Sequence, residues 1–199
     1  MLESTPAYPA TYSFNAPEKV ANWRPLLNWL LAIPHYVILY VLQIVSEIVA
    51  IISWFAILFT GNLPEGLAGF QMMYVRYAAR FYSYVGFMRE EYPPFTFSTT
   101  GVDPGDDPRV RVDVQPQLTD RNRVTVFFRI IFIIPQAIVL FFLGIALYVV
   151  YVIAFFVVLF TGHWPAGLRD FVVGVSRWYV RVMAYGLLLT DLYPPFALD

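Results

Sequence analysis

Arg76, Arg80, Arg177 and Arg181 are the residues whose type and spacing point most directly to chemistry. A guanidinium stays charged at every accessible pH and presents a rigid fork of donors to a carboxylate or phosphate. A spacing of four places Arg76 with Arg80, and Arg177 with Arg181, on one face of a helix. Opposite the first pair stand Phe70, Tyr74, Ala78, Phe81 and Val85, a broad apolar face. Two readings of such a helix stand side by side. In one it spans a bilayer and aims its arginines at a bundle interior, where an ionisable group needs a partner. Glu47 is then the expected partner of Arg76, since both lie about 20 Å from the intervening turn at about 1.5 Å per residue. Arg177 would have Tyr148, a lipid or another subunit. In the other reading the helix lies at the interface with its arginines among lipid headgroups. Under both, a structural salt bridge or a lipid anchor is expected ahead of catalysis.

The elements that position these arginines come from a duplication. Leu58-Phe59-Thr60-Gly61-Asn62-Leu63-Pro64-Glu65-Gly66-Leu67 returns as Leu159-Phe160-Thr161-Gly162-His163-Trp164-Pro165-Ala166-Gly167-Leu168, a constant shift of 101 positions. The same shift superposes Pro34 on Pro135, Tyr84 on Tyr185, and Tyr92-Pro93-Pro94-Phe95 on Tyr193-Pro194-Pro195-Phe196. Each half is therefore one supersecondary unit. The expected divisions are 1–98, a polar linker over 99–120, and 121–199.

Composition points to a bilayer. The chain is 59% hydrophobic and 14% charged, with a mean hydropathy of +0.60, against about half and about a quarter for soluble domains. Leu26 to Phe59 and Ile130 to Phe160 are almost continuously apolar, and runs of about 18 such residues are membrane-span candidates. A net charge of −1 argues against a nucleic-acid partner. The chain has no cysteine, so neither a disulfide framework nor a thiolate metal site is available. The first twenty residues do not resemble a cleavable signal peptide, so the first membrane helix is expected to act as the insertion signal.

Within each unit the pattern predicts a short strand, a long apolar helix kinked at Pro34, a glycine-capped turn, and an arginine-bearing helix. Thr11–Phe14 and Arg109–Val114 alternate as half-exposed strands do, and Phe95–Ser98 reads as a further short strand. Gly61 and Gly162 sit at helix C-caps, while Pro64 and Pro165, followed by Gly66 and Gly167, open the next helices. Those second helices are expected from about Pro64 to Glu91 and from about Pro165 to Leu192. The fold class is thus membrane all-α with small β-rich extramembrane segments, about four membrane helices in two parallel-topology hairpins. Lys19, Arg24, Arg89, Arg109, Arg111, Arg121, Arg123 and Arg129 lie on the side of the termini and linker, and only Arg169 lies near the turns. That asymmetry predicts a cytoplasmic linker and cytoplasmic termini.

Other polar features carry less. His35 beside Pro34 corresponds to Gln136, so an imidazole-specific role is not shared by the two halves. His163 with Arg169 and Asp170 reads as a hydrogen-bonded loop cluster. Ser46, Ala50 and Ser53 form a small-residue stripe suited to close helix packing. Asp103, Asp106 and Asp107 lack the spacing of a calcium loop and read as a solvated linker. No nucleophile–base set, phosphate loop or metal-ligand spacing is present, so no enzyme, metal or cofactor is expected.

Leu30-Leu31-Ala32-Ile33-Pro34-His35, Ala56 to Gly61, Gly167 to Val175, Arg177-Trp178 and Leu192 to Phe196 together resemble the bacterial membrane family named domain of unknown function 4389. The resemblance covers nearly the whole chain, twice. The second copy matches the turn-and-helix motif more closely, and the first departs from it at Ala68-Gly69, where the family tends to carry a charged pair. The resemblance implies a bacterial inner-membrane location and no catalytic activity. The resulting expectation is an accessory or scaffold protein that binds a membrane partner or lipid, or a homo-oligomer. The alternative is a subunit of an oligomeric channel or transporter lined by the four arginines and Glu47.

Overall fold

The structure is a computed structural model that describes residues 8–199; the signal-peptide reading rests partly on residues 1–7, outside the described part. In chain order the elements are β1 (Ala10–Phe14), α1 (Arg24–Leu31), α2 (Ile33–Thr60), α3 (Glu65–Val85), β2 (Val110–Val114), α4 (Arg123–Phe127), α5 (Arg129–Thr161) and α6 (Ala166–Gly186). Phe95–Ser98 forms no strand, and the Ser98 carbonyl and Thr96 hydroxyl accept from Arg76 and Arg80 instead.

Pro34 has no N–H to give and crowds the turn before it, so the first apolar run breaks at Ala32 and restarts with the proline in the first turn of α2. The second unit departs from this. Pro135 is held inside a continuous α5, and the break falls earlier, at Phe128, after α4 has been capped by the Asn122 side chain. Both long helices end as expected on a left-handed glycine, Gly61 at φ 75° and Gly162 at φ 70°. The arginine-bearing helices stop six residues short of the expected ends. Phe87 and Leu188, one repeat apart, take positive φ and close the helix C-termini with bonds from Met88 N–H to the Ser83 carbonyl and from Leu189 N–H to the Ala184 carbonyl.

β1 and β2 form an antiparallel pair with Tyr12 opposite Val112 and Thr11 opposite Asp113. Replacing each residue by its mate in the other repeat maps one of these pairs onto the other, so the strand pair sits on a pseudo-two-fold axis. The exchange extends beyond the sheet. Val20 N–H donates to the Gly162 carbonyl, and Arg121 N–H, the equivalent group, donates to the Gly61 carbonyl. α3 packs on β2 and α6 on β1. Each unit's leading segment thus completes the other unit, and the hairpins, expected in parallel topology, run antiparallel.

Three layers result. Ala10, Tyr12, Val110, Val112 and Val114 point inward from the sheet, with Thr11, Ser13 and Arg111 exposed on its outer side. α3 and α6 form the middle layer and touch each other. α2 packs on α3, and α5 on α6. Ser46 and Ser53 are buried, and Ser46 hydroxyl donates to Gln71 at 2.5 Å.

Only α2 and α5, among the described residues, are long and apolar enough to cross a bilayer. The expected four reduce to two because α3 and α6 each carry arginines on one face and are enclosed by protein on both. Only 22% of the most apolar window of α2 and 6% of that of α5 is buried, so both helices present most of their apolar surface outward.

The turns give the first test. A Cβ on Gly162 would meet the Val20 carbonyl oxygen at 3.0 Å and Asn22 Oδ1 at 2.9 Å, whereas one on Gly66 would meet nothing within 4 Å. Gly162→Ala is expected to destabilise the detergent-solubilised protein by at least about 1–2 kcal/mol, the cost of a left-handed non-glycine residue. Gly66→Ala, in the first turn of α3, is expected to stabilise it by about 0.4–1 kcal/mol. Thermal unfolding monitored by circular dichroism checks both.

Candidate functional site

The arginines of α3 face neither lipid nor an open bundle interior. They face the sheet and the segment between α3 and β2. Arg76 donates from Nη1 to the Ser98 carbonyl at 2.9 Å, from Nη2 to the Thr100 carbonyl at 2.8 Å and from Nε to the Val112 carbonyl at 3.2 Å. Its Nε also lies 3.2 Å from the Asp103 carboxylate. Arg80 donates to Asp103 Oδ1 at 2.8 Å and to Thr96 Oγ1 at 2.7 Å. Asp103 in turn accepts the N–H groups of Gly105 and Val112 at 2.9 and 3.0 Å.

Arg89 makes two bonds of 2.6 Å to Asp107 and one of 2.9 Å to the Arg80 carbonyl. Asp107 caps the start of β2 by accepting from Arg109 and Val110 N–H. The side chains of Asp103 and Asp107 are 0% exposed. This corrects the expectation of a solvated acidic linker, in which only Asp106 is exposed. Charges this deep persist because each is paired and hydrogen-bonded.

The expected Glu47–Arg76 pair does not form. Glu47 is exposed on α2 and accepts a bond from Gln43 at 3.2 Å, while α3 turns Arg76 to the opposite side. Arg177 does not reach Tyr148, which is 72% exposed; its Nε donates to the Tyr12 carbonyl at 3.3 Å. Arg181 donates to the carbonyls of Ala197 and Asp199. These two are only partly buried, and no side-chain carboxylate among the described residues pairs with them. The second unit has its buried charge elsewhere. Arg121 and Arg129 both donate to Asp191, at 2.8 and 2.6 Å, and the Arg129 guanidinium lies 3.8 Å from the Tyr185 ring centroid.

Repeat overlay exposes what the composition hid. Asn122 N–H donates to Asp191, and Ala21 N–H, its equivalent, donates to Glu90. Asn28 donates to the Tyr84 carbonyl where Arg129 stacks on Tyr185. His35 bonds Tyr77 at 2.6 Å where Gln136 accepts from Trp178 at 2.7 Å. Both side chains are fully buried, so this position holds α2 to α3 and α5 to α6 with different chemistry. His163 and Asp170 remain at the surface, and Arg169 approaches Asp170 only at 3.8 Å.

These paired contacts define a unit that occurs twice. The model of the family described as "Domain of unknown function (DUF4389)" matches residues 22–96 and 123–197. The chain belongs to that family. No curated protein and no solved structure matches the chain. Each DUF4389 unit here runs from the start of α1 or α4 to the Tyr-Pro-Pro-Phe tail. β1 and β2 lie outside both matched segments, so the sheet over the arginines is built by what precedes each unit. No group of three or more His, Cys, Asp or Glu suited to a metal occurs among the described residues.

All three nitrogens of Arg76 and both Nη atoms of Arg80 donate to fixed protein acceptors, and Arg80 Nε alone of the two groups is left without one, so the cluster acts as a clamp between α3 and the sheet. Asp103→Ala leaves two buried guanidinium groups without a carboxylate and is expected to cost about 3–5 kcal/mol, whereas the exposed Asp106→Asn is expected to stay within about 0.5 kcal/mol. Denaturant titration in detergent separates them.

Electrostatics also gives a pH dependence. The bonded Arg109 guanidinium holds Glu91 below the ordinary carboxylate range. Burial pushes Asp191 up, but the bonds from Arg121 and from Asn122 N–H, with the charge of Arg129 close by, bring it below the ordinary value. Carboxylates lowered by folding stabilise the protein above their unfolded pKa, about 4. That stability is lost as pH falls through the lowered folded values. Thermal midpoints should fall on acidification from about pH 5, and Asp191→Asn should lower the midpoint at pH 7 and flatten the acid slope.

Proposed function

We propose that this DUF4389 protein is a non-enzymatic scaffold or accessory subunit of a bacterial inner membrane, held in the bilayer by α1, α2 and α5 and binding a membrane partner or lipid. The observation that carries the reading is the exposure of apolar side chains along α2 and α5, from Ile33 to Phe59 and from Ile130 to Phe160. Water would solvate such a surface poorly, and contiguous apolar patches well above a few hundred Å² mark contacts with membranes or partners. Trp23 and Trp29 on and beside α1, with Arg24 stacked 4.4 Å from the Trp23 ring, supply the amphipathic groups that suit a headgroup boundary.

The scaffold reading is favoured over a channel by where the polar groups go. Arg76 and Arg80 are bonded to Asp103 and backbone carbonyls, and Arg177 and Arg181 to the carbonyls of Tyr12, Ala197 and Asp199. A conduction path lined by these groups would have to break those bonds.

Expressed with its native membrane, the protein should stay in the pellet through high salt and alkaline carbonate and leave only with detergent. Native mass spectrometry of the gentle extract should then show a defined heteromeric partner or retained lipid. Release by salt or carbonate alone would refute the membrane reading, and a bare closed ring of identical chains would refute the scaffold reading.

A further inference from the structure

We infer that the protein lies along one leaflet, α2 and α5 running in the plane of the membrane, with the sheet and both Gly-x-x-Pro turns facing water on the same side. This rests on the membrane reading above and specifies the surface by which the protein meets the bilayer.

The pseudo-two-fold symmetry carries the argument. The axis passes through the β1–β2 pair and between α3 and α6, so one end of it is polar and the other is the α2–α5 layer. α2 and α5 run antiparallel beside it. The end of α2 is tied to the segment before α4 by the Arg121–Gly61 bond, and α2 is tied to α4 itself by Trp54 Nε1 on the Val126 carbonyl. The end of α5 is tied to the segment before α1 by the Val20–Gly162 bond and by Asn22 on the Leu159 carbonyl.

Antiparallel helices related by a two-fold axis can both cross a bilayer only if that axis lies in the membrane plane. The sheet sits on the axis, so a crossing would hold the sheet at mid-depth. There Arg111, Asp113, Thr11 and Ser13, which point away from the core, would be offered to acyl chains. Turning the axis along the membrane normal removes the conflict, placing the sheet in water and the α2–α5 layer in lipid.

Three further features agree. The polar cover follows α3 along its whole length, from the Leu63–Leu118 backbone bond at the turn, through Arg76 on Val112, to Arg89 on Asp107. The molecule accordingly has an apolar side and a polar side, the pattern of a helix layer lying in the interface, instead of an apolar waist between polar ends. Glu47 stands at the midpoint of α2, exposed and, among the described residues, bonded only to Gln43. Crossing would put that carboxylate at the bilayer centre with no cation to meet it; lying flat puts it within reach of the headgroups. Finally, α5 at 33 residues is about 50 Å long, well over a hydrocarbon core of about 30 Å.

The absence of cysteine allows a clean test with single-cysteine variants at exposed positions. Asn62→Cys and His163→Cys mark the two turns, Ser13→Cys the outer sheet, and Tyr40→Cys and Phe141→Cys the apolar layer. Right-side-out and inside-out vesicles from expressing cells are treated with a membrane-impermeant maleimide. The inference expects positions 62, 163 and 13 to label fully in one vesicle orientation and not in the other. Positions 40 and 141 should resist labelling, and fluorophores attached to them after solubilisation and reconstitution should be quenched more by lipids brominated near the headgroup than near the chain end. Labelling of positions 62 and 163 from opposite sides, or strongest quenching by the deepest bromines, would overturn the in-plane arrangement while leaving the membrane reading intact. Full labelling of positions 40 and 141 from water, with no quenching by any lipid, would instead overturn the membrane reading itself.

Discussion

A helix with Arg76 and Arg80 on one face and Tyr74, Ala78 and Phe81 on the other can be buried only if the two faces receive opposite kinds of cover, and the architecture follows from that constraint on α3. The charged face takes backbone carbonyls from Ser98, Thr100 and Val112 and the carboxylate of Asp103. The apolar face takes α2, with Tyr36 edge-on to Phe81 at 4.6 Å and Ser46 bonded to Gln71. Two guanidinium groups share one buried carboxylate, so carbonyl dipoles supply the remaining acceptors and fix the course of the chain from Thr96 to Val114. A loop that must present those atoms is not free to be a flexible linker.

The duplication turns one such sandwich into a closed pair. Each unit's lead-in strand covers the other unit's arginine helix, and each lead-in peptide bonds the other's turn glycine. The two halves have diverged within this frame. The first unit concentrates its ion pairs at Asp103 and Asp107, in the segment between α3 and β2. The second carries the Arg121–Asp191–Arg129 cluster at the far end of α6. Equivalent positions also exchange chemistry without losing contact, as where His35 on Tyr77 corresponds to Gln136 on Trp178. What the fold conserves between its halves is the place of each buried polar contact, with the side chains that make it free to change.

The repeat, the glycine-capped turns, the break near Pro34 and both strands were legible because each rests on local chemistry: left-handed φ, a missing N–H, or alternation. The partners of the arginines were not. Glu47 was matched to Arg76 by depth along a hairpin, which ignores the direction in which α3 points its charged face. Asp103 and Asp107 sit among prolines and glycines and read as solvent-exposed until the chain folds back over α3. The expectation of four crossings failed for a related reason. Hydropathy reports how apolar a helix is, whereas the role of α3 and α6 depends on long-range cover that only tertiary structure reveals. The shared acidic position, Glu90 and Asp191, was within reach of the repeat overlay and would have pointed to the second cluster.

Polar and apolar layers at opposite ends of one pseudo-two-fold axis set how the protein meets the bilayer, and the tilt of the long helices measures this most directly. Solid-state NMR of the protein labelled with 15N at the isoleucines of α2 and α5, in mechanically aligned bilayers, reports the angle between each helix axis and the membrane normal. The account predicts that both axes lie close to the membrane plane. Axes within about 40° of the normal, the range of spanning helices, would contradict it.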